Sequence, residues 1–234
     1  MRILISGLNF APELTGIGKY TGGLTEYLAA AGHAVRVVTA PPYYPQWEVA
    51  PGYSSRCYQK ENWKDIDVYR CPLWVPRKQS GFNRILHLMS FALSSAPVML
   101  TQIAWKPDLV FCVAPALMCA PVALIVARIA KSKSWLHIQD FELDAAFGFG
   151  MLSGEKFFYP FARCVETAIY RRFDRMSTIS NRMLERLQQK GVSKEHTVFL
   201  PNWIDTETIT PLAGPSPYRE ELGLSNDQIV ILYS

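Results

Sequence analysis

The sequence predicts a doubly wound α/β fold around a parallel sheet, and three observations carry that prediction. Short apolar runs recur along the chain: residues 2–8 (RILISGL), 34–40 (AVRVVTA), 66–73 (IDVYRCPL), 108–114 (DLVFCVA), 134–139 (SWLHIQ), 175–180 (RMSTIS) and 197–202 (TVFLPN). Patterns of helical period lie between several of them. The runs are apolar at successive positions rather than alternating, as in strands covered on both faces by helices.

After the first run, residues 9–20 (NFAPELTGIGKY) leave the strand, pass Pro12 and start a helix through Gly16 and Gly18. Tyr20, Leu24, Tyr27, Leu28 and Ala31 then repeat at helical spacing, and Gly32 stands where a helix end favours positive φ. Gly22 and Gly23 sit inside this helix, where each costs about 1 kcal/mol relative to alanine. They are expected to let the helix press closely on the sheet. Residues 41–65 carry four prolines, four tyrosines and two tryptophans. No regular element is expected there, only an ordered loop on the carboxyl side of the strands, where α/β ligand crevices form.

Residues 77–106 join Arg77, Lys78 and Arg84 to Phe82, Ile85, Leu86, Leu88, Met89, Phe91 and Leu93, and end near Trp105. This reads as a helix pair interrupted by Pro97, either packed on the sheet or lying at a bilayer interface. Residues 109–127 are uncharged over the length of a membrane span, but Pro115 and Pro121 divide them into a buried strand and a helix. Met183, Leu184 and Leu187 mark a helix within residues 181–192, with Gly191 beyond its last turn. The closing run at 229–234, IVILYS, is expected to be the first strand of a second domain.

At 234 residues with 49% hydrophobic content, the chain can bury a full core. A net charge of +4 is too mild to indicate a nucleic-acid binder. The five cysteines form no CxxC pair and read as buried thiols of a reducing compartment. Met1 leads directly into RILISG, so no secretory signal is expected. The four histidines are scattered, and no metal site or Ser/His/Asp set is expected from spacing.

Two stretches are candidates for chemistry. Gly16, Ile17, Gly18 and Lys19 open a helix, where unpaired N–H groups and the positive end of the helix dipole suit a phosphate or a sugar hydroxyl. A dinucleotide fingerprint is excluded, because the glycines come late, Thr21 replaces the third one, and the second strand ends without an acidic residue. A P-loop is excluded by Glu13 and Tyr20. The second stretch is HIQDFELD, residues 137–144, in which Asp140 falls where the strand turns into the cleft. Asp140 could equally cap the following helix, Glu142 and Asp144 read more readily as such caps, and His137, flanked by apolar residues, reads as a hydrogen-bonded core histidine. The arginines at 163, 171, 172, 175, 182 and 186, with Lys190, form a basic cluster that reads as a solvated helical face and would also attract anionic lipid.

Taken together, RILISGLNFAPELTGIGKYTGGL, AGHAVRVVTAPPYYP, PDLVFCVAP, HIQDFELDAAFGFGM, RFDRMSTISNRMLERLQQKGV and VFLPNWIDTE resemble the N-terminal half of the GT-B glycosyltransferases of family 4, over nearly the whole chain. The resemblance implies a retaining sugar transferase of exopolysaccharide synthesis. Its Rossmann-like acceptor-side domain would span 1–205. Residues 206–234 would then link to a second, donor-side domain that is essentially missing. It places Gly16, Ile17 and Gly18 near the donor phosphates and acceptor, and Asn202 at the crossing between domains. It implies a nucleotide-sugar donor, GDP-fucose as the first choice, and a lipid-linked sugar acceptor. No metal or further cofactor is implied, and the chain would lie at the cytoplasmic face, peripheral to the inner membrane. Many members place a histidine directly before the aspartate; here that place is Gln139, so its role is not carried to His137, and Asp140 is the safer match. The family's Glu-x7-Glu pair has no counterpart here, so the chain alone is expected to be inactive. The rival reading is a non-catalytic, membrane-associated binding module.

Overall fold

The computed structural model describes residues 1–78, 80–115, 117–141, 144, 158–207, 209–225 and 227–231. It divides into two units, Met1–Pro201 and Asn202–Ser234. The first unit holds β1 (Arg2–Gly7), α1 (Gly16–Ala30), β2 (Ala34–Thr39), β3 (Gln59–Trp63), β4 (Ile66–Arg70) and α2 (Gly81–Thr101). These are followed by β5 (Leu109–Ala114), α3 (Ala120–Ala130), β6 (Lys133–Ile138), α4 (Phe158–Tyr170), β7 (Arg175–Thr178), α5 (Asn181–Gln189) and β8 (Thr197–Phe199). Among the described residues the strands form one sheet of eight, ordered β3-β4-β2-β1-β5-β6-β7-β8 and parallel except for β3.

The continuous apolar runs are explained by cover on both faces. Leu4, Val38, Val110, Cys112, Leu136 and Ile138 point into a core shared with Leu88, Phe91 and Met99 of α2 and Ala123, Leu124 and Ala127 of α3. The alternate positions Ile3, Ile5, Val35, Val37, Phe111 and Val113 build the opposite core, against which Leu24 and Leu28 of α1 pack. The buried stripe of α1 is Gly18, Thr21, Gly22 and Thr25, whereas Tyr27, expected on the inner face, is 73% exposed. Small residues face inward because the helix lies close to the sheet: a Cβ on Gly22 would stand 3.1 Å from that of Ala11.

Three expectations are corrected. Residues 41–65 contain a strand after all. β3 lies beyond the last proline of that stretch, and it pairs antiparallel with β4 through a turn in which Lys64 and Asp65 both have positive φ, as a two-residue hairpin requires. Residues 77–106 form one long helix and a short 3-10 turn rather than a pair; Pro97 lies inside α2, which continues past it to Thr101. Cys71, Cys112 and Cys119 are buried, but Cys57 and Cys164 are exposed.

The second unit contains α6 (Tyr218–Glu221). Ile229–Ile231, the described part of the expected closing strand, is not in a strand, and Ile229 and Ile231 are each 91% exposed. Residues 232–234 lie outside the described residues.

Candidate functional site

β2 lies on one side of β1 and β5 on the other, so the carboxyl ends of β1 and β5 mark the point where the winding reverses and a crevice opens. A cavity of about 220 Å³ occupies that place. Its walls come from the segment after β1 (Leu8, Asn9), the start of α1 (Gly16, Ile17), the loop after β2 (Tyr43, Tyr44, Trp47), the first turns of α2 (Arg84, His87, Leu88), and Pro115 and Asp140 after β5 and β6. The two stretches singled out in the sequence thus meet at one opening.

The two glycines of the 9–20 segment have separate duties. Gly16 has φ +59, a left-handed conformation that favours glycine, and lies on the cavity. Thr15, at the N-cap, makes no side-chain cap, so it leaves the first N–H groups of α1 unbonded by its hydroxyl. Gly18 is buried and meets protein rather than ligand: a Cβ there would lie 2.7 Å from the Cβ of Glu13 and 3.2 Å from the Phe10 carbonyl oxygen. Lys19 is exposed, over the ring of Tyr20, and does not line the cavity.

Glu13, which the sequence reading used only to exclude a P-loop, organises this corner. Its carboxylate is buried and accepts bonds from Asn9 Nδ2 and from the backbone N–H groups of Tyr43 and Tyr44, each at 3.0 Å. Burial raises its pKa, opposed by those same bonds. It therefore ties the segment after β1 to the loop after β2. Arg70, 1% exposed, supports the corner from below: its guanidinium donates to Glu61 and to the carbonyls of Ala40 and Ala11.

His87 closes the far wall. Its Nδ1 is 2.7 Å from the Trp74 carbonyl, which can only accept, so Nδ1 carries the proton; Nε2, 3.1 Å from the Tyr43 hydroxyl, then accepts. Burial lowers its pKa, keeping the ring neutral. Asp140 keeps its access to solvent at the mouth, yet the surrounding walls raise its pKa above the ordinary carboxylate value, with Arg84 pulling the other way. A carboxyl so placed can accept a hydroxyl proton, beside a guanidinium and a helix N-terminus that favour an anion.

The other expected site residues lie elsewhere. His137 is 4% exposed, bonded through Nδ1 to Ser177 Oγ at 2.8 Å and stacked on Phe111, and burial lowers its pKa to about 4. It is a core histidine of the sheet and takes no part in the cavity. Gln139 is buried, with its N–H on the Ala114 carbonyl, and does not line the cavity. Asn202 is exposed in the second unit. Glu142 lies outside the described residues. Asp144 receives Arg186 Nε at 3.0 Å and Lys190 Nζ at 2.9 Å, and Lys190 also reaches Glu166 at 2.6 Å. Lys190 is thus a buried clasp, not part of a lipid-facing basic cluster. Among the described residues no group of His, Cys, Asp and Glu could hold a metal ion.

Glu13 and His87 carried weak signals: an acidic residue inside an otherwise apolar and glycine-rich loop, and a histidine on the apolar side of a long helix. Neither signal names a partner, since Tyr43 and Trp74 are remote in sequence.

Known proteins bear out the architecture. The model of a glycosyl transferase 4-like domain matches residues 15–203. The Escherichia coli (strain K12) protein named as the colanic acid biosynthesis glycosyl transferase WcaI is 43% identical over the whole chain, which spans 58% of that relative's length. Among solved structures, the catalytic domain of starch synthase IV from Arabidopsis thaliana superposes with a TM-score of 0.57 at 15% identity, over 97% of this chain and 60% of that one. A sucrose-phosphate synthase from Thermosynechococcus elongatus gives 0.52 at 12%, over 87% and 90%. The lipopolysaccharide outer core galactosyltransferase WaaB gives 0.51 at 12%, over 89% and 48%. At such identities these structures speak for the fold alone, a Rossmann-like domain of the GT-B type. The chain belongs to the glycosyl transferase 4-like family.

Proposed function

We propose that this chain is the acceptor-side half of a retaining, nucleotide-sugar-dependent glycosyltransferase. In this reading it passes a sugar, fucose from GDP-fucose as the first choice, to a lipid-linked sugar in exopolysaccharide synthesis. The observation that carries it is the meeting of the α1 N-terminus, Arg84 and Asp140 around one cavity at the winding reversal, in a chain of this family. The acceptor hydroxyl is held at Asp140, which takes its proton as the hydroxyl oxygen bonds the anomeric carbon on the face where the sugar–phosphate bond breaks, so that configuration is retained, while the α1 N-terminus and Arg84 face the negative charge of the departing diphosphate. The donor is held mainly by a second domain, so transfer needs both halves of the cleft. The experiment is transfer from a panel of nucleotide sugars to a polyprenyl-diphosphate sugar, with residues 1–234 alone and joined to a donor domain. The reading expects transfer only from the joined protein, with GDP-fucose preferred. A joined protein inert toward every donor overturns it, and preference for another donor overturns the choice of fucose.

The acceptor's lipid bears on where the chain sits. By length and composition, Gly81–Trp105 is long and apolar enough to cross a membrane. Its inner face is used in the core, but Phe82, Met89, Leu93 and Leu100 stand exposed along its outside, and Ile125 and Ile129 stand exposed on α3, which packs against it. With the exposed Lys78 at the amino end, this face suits the surface of an anionic bilayer, at the cytoplasmic side of the inner membrane. Flotation with anionic liposomes, lost on Leu93→Asp, is the expected result. If flotation is absent, the membrane placement fails and the transferase reading stands. If the chain floats but the joined protein never transfers, the rival binding-module reading takes its place.

A further inference from the structure

A larger groove, of about 860 Å³, lies beside the Asp140 cavity and falls within the range of small-molecule sites. Trp47 lines both spaces. The groove runs between the loop after β2, the segment after β4 and the middle of α2, with Trp47, Trp74, Arg56, Arg77, Ser90 and Ser94 around it. Two features set it apart from an accidental surface hollow.

First, its aromatic walls are held in place. Trp47 has φ +56, a left-handed conformation that a non-glycine residue keeps only where the surrounding fold over-determines it. Its ring is 5.6 Å from Tyr43 and 5.3 Å from His87. The backbone of Trp74 is pinned to α2 twice, its N–H on Ser90 Oγ at 3.0 Å and its carbonyl on His87 Nδ1, while its side chain remains in the open. Second, the groove carries unspent charge. Arg56 and Arg77 are exposed, and among the described residues neither makes an ion pair; Glu48 is the only acidic residue of the lining.

An indole offers a flat apolar surface on which the C–H face of a pyranose ring can shed water. Guanidinium groups recognise phosphate or carboxylate through paired N–H donors. We infer that this groove is a saccharide subsite for an anionic glycan, a sugar bearing a phosphate or a carboxylate, and that it holds the part of the acceptor lying beyond the ring that reacts at Asp140. The inference rests on the acceptor-side reading above. His87 joins the two spaces, since it bonds Tyr43 in one wall and Trp74 in the other.

The test is calorimetric binding to the full chain, with no transfer step. The probes are maltose 1-phosphate, glucuronosyl-glucose, neutral maltotriose and inorganic pyrophosphate. The inference expects at least one anionic saccharide to bind about tenfold or more tightly than maltotriose and than pyrophosphate; which one does so assigns the anion. Trp74→Ala should weaken that binding about tenfold, and Arg56→Ala with Arg77→Ala should reduce it to the level of the neutral sugar. All three side chains are exposed, so thermal melting should be unchanged. Equal binding of neutral and anionic sugars, no saturable binding of any probe, or binding indifferent to these substitutions overturns the inference. Anionic-saccharide binding by a joined protein that never transfers sugar would keep the groove and remove the transferase reading; transfer without such binding would do the reverse.

Discussion

Two regions of this molecule each bury one histidine and one glutamate, and they use them in opposite ways. At the cavity, Glu13 takes only N–H donors from loops, and His87 bridges a tyrosine hydroxyl and a carbonyl beside an opening. At the seam of β6, β7, α4 and α5, Glu166 takes the Lys190 ammonium and the Tyr170 hydroxyl, and His137 sits on Ser177 inside the sheet. The first set holds loops around an opening, and the second ties regular elements together. Burial of a titratable group therefore does not by itself mark a site. Its position relative to the carboxyl ends of the strands decides what it can do.

The comparison can be broken or sharpened by substitution, beginning with the largest effect. Asp140→Asn, in the chain joined to a donor domain, should lower the transfer rate by about 10²–10⁴-fold, the usual worth of positioned acid–base groups, with thermal melting unchanged. Melting that falls together with activity would place Asp140 among the structural carboxylates.

At the seam, Lys190→Ala leaves Glu166, 1% exposed, without its cation and should cost about 3–5 kcal/mol in urea unfolding. Sugar binding below the transition should be untouched. A loss under 1 kcal/mol would show that the clasp is wet in solution.

His137 gives a pH signature. Its folded pKa, about 4, lies below the ordinary 6.5, so the unfolded chain takes a proton that the folded one refuses. Stability is therefore full above about 6.5, falls as pH drops toward 4, and loses about 3 kcal/mol at most. His137→Gln keeps a polar partner for Ser177 and should flatten that slope without changing ligand binding, whereas His87→Gln should weaken binding in the cavity. If the two variants behave alike, the distinction between the regions fails.

The smallest expected effect is at the loops. Glu13→Gln replaces an acceptor oxygen by an amide that faces other N–H groups, and should cost about 1–3 kcal/mol in stability. Binding in the cavity should weaken with it, because Tyr43 and Tyr44 are no longer held. Unchanged binding would separate Glu13 from the shape of the opening.

Much of this was legible in the sequence because it is local. Proline at 121 and the run before it separated β5 from α3, and the helix over 181–192 was marked by its own period and its closing glycine. The place of Asp140 followed from where an apolar strand ends. β3 escaped because its polar residues hide a strand that exists only by pairing with β4. In α1 the glycine inside the helix was read correctly as a point of close approach, and Leu24 and Leu28 do pack on the sheet; only Tyr27, on the same helical period, turns out to solvent. Glu13 and His87 escaped for the same reason as each other: apart from Asn9, four residues before Glu13, their bonding partners come from other segments, and no spacing records them.

By itself, then, the order of the residues determined the fold class, most element positions, the loops that reach the strand ends and the family resemblance, since propensity, period and turn chemistry act between near neighbours. Only the tertiary structure decided which charges are spent and which face an opening. Gly18 went to packing on Glu13 and Lys190 to a buried clasp, while Arg84 and Asp140 stayed at the mouth. The cause is physical: desolvation and hydrogen bonding depend on what the folded chain brings within a few ångströms, and distance along the sequence does not measure that.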